Sequence, residues 1–168
     1  MMIKRKQTFV VALKLSLILL IVCAVNKSIG RETMQGESKI LKTGWYYVVD
    51  GPKGFKRQLD KSEEHCFIDK TAIVTASNFN SFLIDGSTLN APKYKYRLVM
   101  ELDLAGAKLM GIATKKSIGK KLAFILDNKL LYVVSVRDQV DNGITVMDRG
   151  IYSKEELEKF KAMIKAEH

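Results

Sequence analysis

From Lys95 to Asp103, KYRLVMELD, apolar and polar positions alternate, with Tyr96, Leu98, Met100 and Leu102 on one face and Arg97, Val99, Glu101 and Asp103 on the other. A two-residue period describes a strand with one covered face. The period then changes. Asp103 is placed to cap a helix from Leu104 to about Ile118, with Ala105, Leu109, Ile112 and Ala113 on one side, Lys108, Lys115 and Lys116 mostly on the other, and Gly119 as the stop. KLAFILDN and KLLYVVSV, joined through Asp127-Asn128-Lys129, read as a hairpin, and GITVMDR as a further strand. YSKEELEKFKAMIKAE reads as a terminal helix: Ser153 and Glu156 have capping-box spacing, Tyr152 and Leu157 stand at the staple positions, and Leu157, Phe160 and Ile164 form its buried face. The order strand, helix, strand, strand, strand, helix predicts an α+β fold, a ferredoxin-like sandwich in which two helices cover one face of a largely antiparallel sheet.

The first half of the chain adds N-terminal strands to this plan. GWYYVVD, Gly44 to Asp50, is rich in strand-favouring residues, and Asp50-Gly51-Pro52 with Gly54 predicts a turn and a hairpin into FKRQLD. HCFID and AIVTA read as two short strands, Ser77 as the cap of a short helical turn through NFNSFLID, and DGSTLNAP as loop. Residues 43–168 are expected to form a single domain, preceded by a polar linker over 31–42.

Residues 1–30 read as a leader. Lys4, Arg5, Lys6 and Lys14 precede the apolar run Leu15 to Val25, which is short for a membrane span, and Ser28 and Gly30 have the spacing of a signal-peptidase site before Arg31. The alternatives are an uncleaved anchor with the same orientation and a lipoprotein modified at Cys23, although Val22 is larger than the residue that usually precedes such a cysteine. All three place the domain outside the cytoplasm, secreted or tethered to the membrane.

Charge narrows the partners. The chain carries a net +10, but residues 31–168 hold 23 basic against 18 acidic residues, +5, with acids interspersed and no aromatic-and-basic nucleic-acid signature. Contact with an anionic membrane surface remains in play. No metal-ligand spacing, phosphate loop, nucleophile elbow or HExxH is present, so neither cofactor, metal nor catalytic residue is assigned. Asp138, Asp141 and Asp148 read as turn carboxylates around Asn142-Gly143 rather than a glycosidase pair. His65 and Cys66, adjacent on a strand, point to opposite faces, which leaves Cys66 as a small buried hydrophobe.

LVMELDLAGAKLMGIATKKSIGKKLAFILDNKLLYVVSVRDQVDNGITVMDRGIYSKEELEKFKAMI resembles the head of the first periplasmic domain of SecD, the export accessory that forms SecDF. The matching positions are Gly106, Ala107, Thr114, Ile118, Gly119, Lys120, Leu122, Ala123, Asp127, Gly143, Ser153 and Glu156, and AIVTASNF looks like a further family stretch, so the resemblance covers about Cys66 to Ala166. It implies a periplasmic, non-catalytic module that binds polypeptide or a protein partner in connection with protein export. The family's transmembrane bundle is not in this sequence, which excludes a proton-driven motor from the expectation. YVVSVRD stands where the family usually has a proline, so the second hairpin strand is expected to run on. Polypeptide binding calls for an open apolar groove or unpaired strand edge, with candidates Tyr132, Val134, Val136 and Arg137 on that strand and Tyr94 and Tyr96 near a sheet end. For Tyr132 and Val134 core packing is the favoured reading, since alternating apolar residues in a strand usually face a helix. The alternatives are an inhibitor, immunity-like or envelope assembly protein that engages one partner through a rigid patch, and a small enzyme.

Overall fold

The computed structural model of the 168-residue chain describes residues 40–87 and 95–168. The leader, all but the last residues of the linker, and Tyr94 lie outside the described residues. Among the described residues no helix is long and apolar enough to cross a membrane.

The strands are β1 (Gly44–Val49), β2 (Phe55–Gln58), β3 (His65–Thr75), β4 (Phe79–Ser87), β5 (Lys95–Leu102), β6 (Lys121–Leu126), β7 (Lys129–Ser135) and β8 (Ile144–Met147); the helices are α1 (Leu104–Lys116) and α2 (Lys154–Ala166). All strand pairs are antiparallel, and the two helices complete the predicted α+β class. The strands divide between two sheets, one of five strands in the order β2-β3-β1-β6-β7 and one of three in the order β4-β5-β8. The physical reason lies in NFNSFLID. Ser77 does not cap a helical turn there: a single 3-10 turn, Ala76–Asn78, is capped by Thr75, and Phe79 onward forms β4. β4 pairs with β5 from Phe79↔Leu102 to Ser87↔Lys95 and β8 takes the other side of β5, so neither edge of β5 remains for β6 or β7.

The expected hairpin between β1 and β2 is also replaced. HCFID and AIVTA form one eleven-residue strand, β3, long enough to pair with β2 over His65–Ile68 and with β1 as far as Thr75, so it lies between them. The apparent break is a bulge at Asp69–Thr71, where the Asp69 side chain accepts from the Thr71 N–H at 3.0 Å. At the far side of the sheet, Leu59 forms a parallel bridge with Leu130 and the Asp60 N–H donates to the Leu130 carbonyl at 2.8 Å. The outer strands therefore meet, and the sheet curls around Leu41, Tyr46, Ile68, Ala123, Ile125 and Leu130.

The opposite face of this sheet meets the three-stranded sheet and both helices in the larger core, which includes Trp45, Phe79, Leu98, Met100, Met110, Phe124, Leu157 and Ile164. Fully burying each such side chain stabilises by roughly 1.5–3 kcal/mol. The local signals of the second half hold. Asp103 accepts from the Gly106 N–H at 2.6 Å, and Ser153 and Glu156 exchange capping-box bonds. Asp127 and Asn128 have φ of 46° and 63°, left-handed positions that Asp and Asn tolerate in a tight hairpin turn. The buried side of α1 differs from the expected stripe: Gly106, Met110, Gly111, Ala113 and Thr114 are buried, whereas Ala105, Leu109 and Ile112 are exposed. Small residues let the helix approach closely enough that a Cβ on Gly106 would stand 2.8 Å from the Asn78 Cβ.

Candidate functional site

β7 is paired on one side by β6 and β8 on one side by β5; among the described residues neither has a second partner strand apart from the Leu59–Leu130 bridge. Their open sides border a cleft of about 560 Å³. Its floor is Trp45, Met110 and Leu122 with Thr114 and Thr145, its walls are Val133 to Ser135 from β7, Val136 just beyond it, and Ile144 and Val146 from β8, and its rim is Arg137, Asp138 and Gln139.

The backbone of β7 is closed at one end and open at the other. The Leu130 carbonyl accepts from the Asp60 N–H, and the Leu131 carbonyl accepts from Arg149 at 3.4 Å and lies 3.3 Å from the Tyr152 hydroxyl. That hydroxyl also donates to the Asp60 carboxylate at 3.1 Å; burial and the Asp60 charge push its pKa far up. At the other end, the Val136 N–H donates to the Lys120 carbonyl and the Val136 carbonyl accepts from the Gly119 N–H, both at 2.9 Å. Alternation along an antiparallel strand then turns the backbone groups of Ser135 and Val133 to the open side. On β8, the Gly143 carbonyl accepts from the Leu102 N–H, so the same alternation turns those of Ile144 and Val146 into the cleft. The Ile144 N–H is already taken by the Asn142 side chain at 3.0 Å.

One wall is held by the loop from Val136 to Gly143 lying on α1. The Val140 N–H donates to the Thr114 hydroxyl at 2.9 Å, which itself donates to the Met110 carbonyl at 2.8 Å, and a Cβ on Gly111 would stand 3.3 Å from the Asp141 carboxylate. Gly143 turns the loop into β8 with φ +68°, where a Cβ would stand 2.9 Å from the Ala107 Cβ. Gly106, Ala107, Thr114 and Gly143 are thus the positions at which helix, loop and strand come closest. Across the floor, the Trp45 indole N–H donates to the Thr145 hydroxyl at 3.2 Å and ties the two sheets together.

Of the residues singled out from the sequence, Val134, Val136 and Arg137 line the cleft together. Tyr132 stands one step further along: its ring meets Trp45 edge-on at 6.2 Å, and burial and then the Asp148 charge push the pKa of its hydroxyl up. Tyr96 is half-buried on β5 beside Gly86, and is not among the lining residues. Sequence reasoning missed Trp45, Thr114, Thr145, Ile144 and Val146 as cleft residues; the helical Thr114 and the Gly143 turn were the available signals. Among the described residues no group of His, Cys, Asp and Glu is disposed to hold a metal ion. Cys66 is half-buried against the smaller core, and burial pushes its thiol up, away from the reactive thiolate.

The model of the SecDF P1 head subdomain family matches residues 53–167, beginning upstream of the stretch whose motifs show the resemblance. Among solved structures the fold is similar to that of SecDF, a membrane component that enhances protein export, with a TM-score of 0.56 and 18% identity over 73% of this chain and 61% of that one. It is also similar to the crystal structure of SecDF in a super-membrane-facing form, with a TM-score of 0.59 and 15% identity over 78% of this chain and 19% of that one. The chain therefore spans less than two thirds of either SecDF chain. No curated protein matches it. The family match takes in α1 with its close-packed glycines, the Gly143 turn, both walls of the cleft and the capped terminal helix, and on that extent the chain belongs to the SecDF P1 head subdomain family.

Proposed function

We propose that this chain is an extracytoplasmic, non-catalytic head domain that binds extended polypeptide in connection with protein export, by strand addition in the cleft between β7 and β8. One observation carries the reading: two strands with open hydrogen-bonding edges flank a cleft floored by apolar side chains. An extended segment there satisfies its own backbone groups on Val133 and Ser135 while alternate side chains reach the Trp45 and Leu122 floor. Three or four backbone hydrogen bonds at about 0.5–1.5 kcal/mol each, with the burial of alternate side chains largely offset by the ordering of a flexible chain, give weak binding, with a dissociation constant on the order of 1 mM. Such a grip is transient and indifferent to sequence, as handling many exported chains requires. Family membership and the SecDF likeness support the link to export, and the leader expected over residues 1–30 supports the compartment.

Trp45 is the single tryptophan of the chain and lies on the cleft floor, so its fluorescence reports occupancy. Titration with unfolded precursor segments should shift its emission. Ser135→Pro removes only an N–H that faces the open side, a position where an edge strand accepts proline. The variant should stay folded and lose about tenfold in affinity, since one backbone bond is lost and the proline ring obstructs close approach of an incoming strand to the edge. Unchanged affinity in folded Ser135→Pro would refute strand addition, and saturable binding of one folded protein without unfolded segments would favour a dedicated partner.

A further inference from the structure

The face that α1 turns away from the core is apolar and cationic at once. Leu104 is 89% exposed, Leu109 and Ile112 each 47%, and Ile118, in the turn after the helix, 55%. At about 100° per residue, Leu104, Lys115, Lys108, Ile112, Lys116 and Leu109 fall in that order within an arc of about 140°, interrupted only by the small, exposed Ala105, and all six are exposed. The lysines stand on both sides of Ile112. From Leu104 to Leu126 the chain holds five lysines, Lys108, Lys115, Lys116, Lys120 and Lys121, and neither Asp nor Glu. All five are exposed, and none forms an ion pair among the described residues. The acids that touch α1 are committed elsewhere: Asp103 to the Gly106 N–H, Asp141 to the Gln139 side chain.

We propose that this face of α1, with Ile118, docks on an anionic lipid surface. The aliphatic side chains enter the headgroup layer while the lysine stems lie along it and their ammonium groups meet lipid phosphates. Charge complementarity selects the occupant: a stretch with five cations and no acid needs a dense, extended negative surface. The six face residues include no aromatic side chain or arginine, the usual anchors of a protein interface. Met110 and Thr114, on the other side of the helix, contribute to the cleft, so docking leaves the cleft open. The inference stands apart from whatever occupies the cleft.

The test uses the full chain reconstituted in vesicles, with Cys23→Ser and Cys66→Ser and an environment-sensitive fluorophore on Ile112→Cys or, as a control, Leu83→Cys on β4, which is also exposed. The label reports the position of α1 itself, so insertion of residues 1–30 does not produce the signal. In phosphatidylcholine vesicles containing about 30 mol% phosphatidylglycerol, the label at 112 should shift to the blue and be quenched by nitroxide lipid, and the label at 83 should not. At roughly fivefold per lysine, Lys108→Gln/Lys115→Gln/Lys116→Gln should lower the docked-to-undocked ratio roughly 100-fold. Salt at about 0.5 M should act in the same direction. Three results overturn the proposal: no response at 112 in anionic vesicles, an equal response in pure phosphatidylcholine, or a response only when polyglutamate is added, which would identify an acidic polypeptide as the occupant.

Discussion

Replacing Thr114 with valine isolates the bond that fastens the cleft wall. The Thr114 side chain is 2% exposed, and its hydroxyl is the acceptor for the Val140 N–H at 2.9 Å. Valine keeps the branching and nearly the shape, so helix propensity changes little. The Val140 N–H loses its acceptor. An unpaired buried donor costs about 1–3 kcal/mol; Val140 is half-buried, so water can recover part of that, and the expected loss is about 1–2 kcal/mol. For a domain of this size that lowers Tm by about 3–6 °C. The loss is local first: exchange protection of the Val140 amide should fall before that of the core strands, and affinity for extended peptide should fall with it. Thr114→Ser retains the acceptor and should retain the protection. Urea unfolding and amide exchange of the three proteins provide the measurement. A Thr114→Val protein within about 0.3 kcal/mol of the parent, with Val140 protection unchanged, would show that the hydroxyl does not hold the loop.

Gly106→Ala sets propensity against packing. Alanine favours the helix by about 1 kcal/mol, but its Cβ would stand 2.8 Å from the Asn78 Cβ and 3.0 Å from the capping Asp103 oxygen, neither of them free to swing away. Net destabilisation of about 1–2 kcal/mol by urea unfolding is expected, and a stabilised protein would mean that α1 can lift off the Ala76–Asn78 turn and the end of β5 at Leu102. Val136→Pro removes the donor to the Lys120 carbonyl and should cost about 1–3 kcal/mol in the same assay, in contrast to the tolerated Ser135→Pro. Lys61, and then the Ser153 N–H, hold the Glu156 carboxyl below its ordinary value of 4.5. A lowered folded-state pKa stabilises above the ordinary value and is lost as pH falls through it. Stability should therefore decline below about pH 4.5, with a shallower slope in Glu156→Gln; equal slopes would mean that the carboxylate pairing is not formed in solution.

What the chain determined by itself was local. Alternation from Tyr96 to Leu102, the Asp103 cap, the Asp127-Asn128 turn and the Ser153–Glu156 box each depend on residues a few positions apart, and each forms where its spacing places it. The choice of partners was tertiary. GWYYVVD and FKRQLD look like a hairpin until the longer β3 offers both of them more backbone bonds. NFNSFLID has no strict alternation, and becomes a strand because β5 supplies its ladder. Hydrophobicity alone assigns Leu109 and Ile112 to the interior of α1, yet closeness of approach decided the matter, and Gly106, Gly111 and Thr114 went inside. The cleft is the furthest from local control. It exists because β4 and β8 occupy both sides of β5 and leave β7 and β8 with open edges, an outcome of competition among all eight strands for a limited number of edges.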